Sequence, residues 1–274
     1  MIRSASRQAL VELRKEEDAV FDGRVSADTL IKLAGDLYAV ADLLVAQPRL
    51  RRTLGDPATA PAGRVQLAES LVGGKIDAKS LRLVTAAIGL RWSTPWDLTD
   101  ALEGAGDTAL FAAAEKQQKL DPVEDELFRL ERILQAEGEV AALLDEFTVD
   151  PARRIALLDA LVGSKVNPIT LELLHHAVTS QRKRSITLAL DDLLEMASAR
   201  RDRSVARVTS AVPLTDAQQD RLASALSAMY GRTMSVRTAL DPRVQGGLIV
   251  RVGDEVIDGS IARKLATVRT ALAG

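Results

Sequence analysis

Cysteine is absent from the 274 residues. This excludes a disulfide framework and thiolate-held zinc or iron–sulfur sites, and it fits a reducing compartment. Aromatic residues make up only 3% of a chain that is 47% hydrophobic. Its cores must therefore be built from Leu, Val, Ile and Ala, a composition that favours packed helices over sandwiches. No apolar run approaches the ~20 residues needed to span a bilayer. Direct membrane insertion is not expected, and attachment would come through a partner. Met1 to Arg7 carry no apolar segment of the kind a secretory leader needs. Neither sign of charge dominates: 36 Lys and Arg oppose 38 Asp and Glu, a net charge of −2. Nothing global draws the chain to nucleic acid or acidic lipid.

What the sequence does have is an internal repeat, the first signal to seek in a chain of this length. Ser70 to Leu83 (SLVGGKIDAKSLRL) aligns without gaps on Ala160 to Leu173 (ALVGSKVNPITLEL), at an offset of 90. The same offset pairs Arg64 with Arg154, Leu67 with Leu157, Leu54 with Leu144, Leu44 with Leu134 and Leu37 with Leu127. Two helical modules are expected, at residues 1–104 and 105–203, each a bundle of about six helices joined by short loops.

In the second module Asp107 is expected to cap a helix bearing Leu110, Phe111 and Ala114. Asp121-Pro122 starts the next, with Val123, Leu127, Leu130 and Leu134 at helical spacing. A short piece spans Val140 to Phe147. Asp150-Pro151 opens a helix carrying Ile155, Leu158 and Leu161, with Gly163 at its C′ position. Asn167-Pro168 opens one carrying Leu171, Leu174 and Val178. The last, about Ser185 to Arg201, turns Ile186, Leu190, Leu193, Leu194 and Ala197 inward. The first module follows this plan with a longer loop, Asp22 to Asp28, and a Trp92/Trp96 tail.

From Ser204 the period changes. Val205 to Val212 reads as a strand, and Thr215 and Gln218 have capping-box spacing. A helix with Leu222, Leu226 and Met229 stops at Gly231. Met234 to Leu240 alternates again, and a hairpin and a helix from Ser260 follow. Residues 204–274 are expected to form a small β-α-β-β-α domain, so the whole chain is mainly α with an α+β end.

Candidate chemistry is sparse. Gly73-Gly74-Lys75 and Gly163-Ser164-Lys165 resemble the end of a phosphate loop, but Glu69 stands where that loop needs Gly and no strand precedes it. A helix-ending glycine with a Lys near the dipole explains both. His175 and His176 are the only histidines, and as helix neighbours they point about 100° apart, so they cannot share a metal as an i, i+4 pair does. One is expected at a surface or interface and the other partly buried. The basic runs 181–184 and 200–203 sit at helix ends, where the dipole favours them; a nucleic-acid surface would need that charge on one face with stacking aromatics. Trp92 and Trp96 either cover the end of the first bundle or expose an anchor. No catalytic residue, cofactor or metal site is expected.

In Asp241 to Ile261, DPRVQGGLIVRVGDEVIDGSI, the glycines are read as structural. Gly246-Gly247 lets the backbone kink or lie close to a neighbour. Gly253-Asp254 is the tip of a two-residue hairpin. Asp258-Gly259 breaks the returning strand before Ser260 caps a helix. Leu248, Val250 and Val252 are expected on one face, Ile249 and Arg251 on the other.

The pattern of Leu240 to Asp254, with Val256 to Ser260, Thr209 to Leu214, Ala109 to Phe111 and Lys119-Leu120, resembles the delta subunit of bacterial rotary F-type ATP synthase, the family of the oligomycin-sensitivity-conferring protein. The likeness covers about residues 105–274. The extra front bundle resembles the enlarged form found in actinobacteria. The resemblance implies a non-catalytic stator subunit, one copy per complex, peripheral on the cytoplasmic face of the plasma membrane. Its helical bundle would grip N-terminal helices of the alpha subunits, and its C-terminal domain would meet the stalk's b subunit. It implies a groove between the first and fifth helices of the bundle, for which Phe111, Ala114, Leu174, His175 and Val178 are the candidates. Asp241, Gly246, Gly247, Gly253, Asp258 and Gly259 are its fold-determining signature. The alternatives are a free-standing helical adaptor, a nucleic-acid-binding protein, or an enzyme using Lys75 or Lys165 on phosphate.

Overall fold

A computed structural model describes residues 4–21, 24–180, 185–203, 205–230, 234–244, 246–252 and 255–259. The helices are α1 (Ser4–Val20), α2 (Ala27–Ala46), α3 (Pro48–Gly55), α4 (Pro61–Val72), α5 (Ala78–Gly89), α6 (Pro95–Lys116), α7 (Leu120–Ala136), α8 (Gly138–Leu144), α9 (Pro151–Val162), α10 (Pro168–Thr179), α11 (Ile186–Arg203) and α12 (Asp216–Tyr230). The strands are β1 (Val205–Ser210), β2 (Ser235–Leu240), β3 (Leu248–Val252) and β4 (Glu255–Asp258). The chain divides into two compact units, Met1–Met196 and Ala197–Gly274.

In the first unit the repeat is physical as well as textual. Helices α4 and α5 recur as α9 and α10 with every boundary displaced by 90. Asp36 Oδ2 accepts from the Asp77 N–H at 3.0 Å and the Ser80 hydroxyl at 2.6 Å. Glu126 Oε2 accepts from the Asn167 N–H at 2.8 Å and the Thr170 hydroxyl at 2.5 Å. All three positions shift by 90. Each clamp fixes the N-terminus of one helix to the helix beneath it, satisfying donors that a helix start otherwise leaves open. Asp77 and Asn167 also cap their own helices.

The paired arginines are buried, each 2% exposed. Arg64 donates to the Leu54 carbonyl at 3.1 Å and to those of Gly89 and Leu90. Arg154 donates to Leu144 O at 3.4 Å and Val178 O at 2.6 Å. A buried guanidinium needs such partners, because burying an unpaired charge is costly. Here it ties off the carbonyls that helix C-termini leave unmatched. This corrects the expected inner face of α9. Ile155 and Leu161 are only half-buried, and the inner stripe is Arg154, Leu158 and Val162.

The helix expected to begin at Asp107 begins a dozen residues earlier. α6 is one continuous helix, and the expected division at 104/105 falls inside it. Thr94 caps it in a reciprocal box with Asp97, and Pro95 sits at its first turn. Of its 22 residues, 14 are buried, which is more than one amphipathic stripe provides. It packs along α2 and also against α7 and α10. By chain order α6 is both the last helix of the first repeat and the first helix of the second.

Three smaller expectations are settled. Trp92 covers the end of the first repeat, with 1% exposure and its indole N–H on Ala87 O at 2.7 Å. Trp96 is 39% exposed, with the Arg51 guanidinium 3.5 Å over its ring. Gly163 ends α9 in the right-handed region, and at Gly73 and Gly163 a Cβ would strike the carbonyl oxygen four residues back. Crowding requires glycine there; the left-handed turn falls at Gly74, φ 77°.

In the second unit the sheet order is β2-β1-β3-β4, with β1 and β2 parallel across α12 and the other pairs antiparallel. Thr215 and Gln218 form the capping box at the start of α12. The core is Ala206, Val208, Leu226, Met234, Val250 and Val252. Met229, expected inward, is 68% exposed. The stop at Gly231, the loop start at Asp22, the 181–184 run, the hairpin tip at Gly253-Asp254 and the helix from Ser260 lie outside the described residues.

Candidate partner-binding surfaces

The candidate groove residues lie on α6 and α10 and are brought together, but mostly inside the pair. Phe111 is 1% exposed, Ala114 and Leu174 0%, and Val178 2%. They are core, and none reaches a partner while the helices stay packed. His175 alone faces outward, its Nε2 2.6 Å from Asp159 Oδ1.

Its neighbour His176 turns the other way, into a polar junction. The Tyr38 ring of α2 stacks on the His176 imidazole, centroids 3.7 Å apart at 11°. The Tyr38 hydroxyl donates to Asp107 Oδ1 at 2.7 Å, and the Ser180 hydroxyl donates to Glu103 Oε2 at 3.3 Å. Burial, and then Asp107, pushes the Tyr38 phenol well above its usual range. A Cβ on Gly106 would enter the Tyr38 ring, so α6 needs glycine where α2 crosses it. The first repeat thus packs over the α6–α10 pair of the second. Sequence reasoning missed Tyr38; the offset of 90, which pairs it with Phe128, is the signal that singles it out in so aromatic-poor a chain.

The corresponding first and fifth helices of the first repeat, α1 and α5, keep an open cleft. It has a volume of about 520 Å³ and is lined by Ser4, Gln8, Ala9, Glu12, Leu90 and Arg91, among others. In the second unit an apolar hollow of about 440 Å³ lies between α12 and the sheet, lined by Val212, Leu214, Leu222, Ala225 and Leu248 with the Arg221 side chain. Val212 at its lip is 66% exposed.

The glycine-rich stretch builds the edge of this hollow. Asp241 Oδ1 accepts from the Arg243 N–H at 2.9 Å, and its carboxylate pairs with the Arg243 guanidinium. These bonds hold the Asp241 carboxyl below its usual range. Gly246 and Gly247 follow with φ of 69° and 83°, a conformation that side-chain-bearing residues resist. β3 then starts, with Val250 and Val252 buried and Arg251 exposed. Asp258 pairs with Ile249, and the Gly259 N–H closes on Leu248 O at 2.8 Å. A Cβ at Gly259 would press that carbonyl at 3.1 Å.

The Lys165 ammonium is spent on Leu161 O at 2.9 Å, at the end of its own helix. Among the described residues no three His, Asp or Glu side chains are grouped to hold a metal, and no helix is long and apolar enough to cross a membrane. The architecture is a repeated helical module with an open cleft, followed by a small α+β domain with an apolar hollow.

Residues 108–272 match the family model described as the ATP synthase delta (OSCP) subunit. The ATP synthase subunit delta of Streptomyces griseus is 42% identical over the whole of both chains. That of Frankia alni is 42% identical over 99% of each. The ATP synthase subunit b-delta of a Mycobacterium species is 40% identical over 99% of this chain and 61% of its own length. The chain belongs to the delta (OSCP) family of ATP synthase subunits, in an enlarged form whose N-terminal part is shared with its actinobacterial relatives.

Proposed function

We propose that the chain is the non-catalytic stator subunit of a proton-translocating ATP synthase, one copy per complex, peripheral to the membrane on its cytoplasmic face. Its helical part (residues 1–104 and 105–203, joined through α6) holds N-terminal helices of the alpha subunits. Its α+β domain (204–274) meets the b subunit of the stalk, and the tie keeps the catalytic head from turning with the rotor. The observation that supports this most is the end-to-end likeness to delta subunits, front repeat included. An interior of helices clamped by buried Arg64 and Arg154 suits a part that must transmit torque without yielding.

The alpha-subunit helix is assigned to the first-and-fifth-helix groove. With Phe111, Ala114, Leu174 and Val178 in the core and Tyr38 packed over the second repeat's pair, the α1–α5 cleft is the open version of that groove. Helix-in-groove docking needs such a trough between two helices. A synthetic peptide of the alpha-subunit N-terminus, titrated into the full chain, is expected to bind saturably at micromolar concentration. Binding is expected to weaken when Gln8, exposed in the cleft, is replaced by Trp. No saturable binding at micromolar peptide overturns the stator reading.

A further inference from the structure

The offset of 90 pairs the covered face of the first repeat with an open face of the second. Tyr38 is stacked and hydrogen-bonded; its counterpart Phe128 on α7 is 52% exposed. On α6, Leu98 and Leu102 are 0% exposed and Ala105 2%. The counterparts on α11 are Leu188, 58% exposed, and the exposed Asp192 and Glu195. Where the first repeat has Ala41 and Ala101, both buried, the second has Glu131, buried and accepting from the Gln135 amide at 2.9 Å, and the exposed Asp191 of α11, which interacts with it. Burial, with Asp191 beside it, pushes the Glu131 carboxyl up.

Two carboxylates facing each other beside an open phenylalanine are a poor end to a helix pair by themselves. They are a good receptor for a cation, because an incoming guanidinium or ammonium would offset their mutual repulsion and bridge them. Apolar Phe128 and Leu188 supply the adjoining anchors.

We propose that the α7–α11 face is a second docking surface, and that its occupant is an amphipathic helix of another protein. That helix presents Leu or Ala along its contact stripe and Arg or Lys beside it. It lies where a following repeat would lie. The proposal concerns a face distinct from the α1–α5 cleft and stands whether or not that cleft binds an alpha-subunit helix.

The test uses the full chain and two fluorescein-labelled model helices. They share one Leu/Ala stripe and are flanked either by Arg or by Glu. The Arg-flanked probe is expected to bind at least about tenfold more tightly than the Glu-flanked one. Phe128→Ala, and the double change Glu131→Ala with Asp191→Ala, are each expected to weaken it about tenfold. Alanine already occupies both carboxylate positions in the first repeat, so the fold should accept it; circular dichroism checks this. Leu43→Ala on α2 should leave binding unchanged. Equal affinity for both probes, or no loss in the Phe128 and double variants, overturns the proposal. So does a concentration-dependent dimer that Phe128→Ala dissolves, since a second copy would then be the occupant.

Discussion

The two helical repeats agree inside and differ outside. Inside, a carboxylate clamp and a buried arginine recur at the same offset, with nearly the same distances. Outside, one aromatic position is stacked under a neighbouring helix and its counterpart stands open. Interior positions answer to the module's own packing, which duplication preserves. Exterior positions answer to whatever lies next to them, and that differs between an internal repeat and a terminal one.

The largest effect that would break this comparison concerns α6. A fragment of residues 1–104 cuts the helix before Gly106, Asp107, Ala109 and Leu110, all buried. It is expected to lose cooperative unfolding, whereas 1–116 unfolds in one transition; urea melts by circular dichroism compare them. A stable, cooperative 1–104 fragment would make α6 a linker and not a shared helix. Next in size, Arg64→Ala and Arg154→Ala are each expected to cost about 3 kcal/mol, since buried carbonyls lose charged donors. Equal costs in urea support equivalent repeats, and a neutral substitution in one repeat would break the equivalence.

Tyr38→Ala is expected to cost about 2–3 kcal/mol through the lost stack and hydrogen bond. Phe128→Ala should stay within about 0.5 kcal/mol in the isolated chain, as exposed substitutions do. The smallest effect is electrostatic. A carboxyl whose folded pKa is raised adds stability while protonated, and that stability is lost as pH rises from the unfolded value toward the folded one. Glu131→Gln should therefore make the chain more stable at pH 7 and flatten the decline with pH above the ordinary glutamate range. Thermal melts across pH read this directly, and an unchanged slope would contradict a raised Glu131 carboxyl.

Much of this was legible in the sequence. Helix starts at Asp150, Asn167 and Thr215 were readable because a side-chain oxygen followed by a first turn is local chemistry. The repeat was readable because positions that serve the same packing keep their residue type, as Arg64 and Arg154 do in bonding the Leu54 and Leu144 carbonyls. α6 was not readable as one helix. Gly104, Gly106 and Asp107 cost helix propensity and mimic a break, while the burial that overrides them comes from α2 and α10, far away in sequence. The inner face of α9 was misread because a sequence gives no sign that an arginine will turn inward to collect carbonyls. The candidate groove residues come together on α6 and α10, but periodicity cannot separate a residue facing a groove from one facing the core beneath it.

The most direct measurement of the central claim is a bridging assay. A C-terminal fragment of the b subunit is immobilised and offered the catalytic head, with and without this chain. The account predicts that the head is retained only when the chain is present, and saturates at one chain per head. Equal retention without the chain, or none with it, would contradict the account.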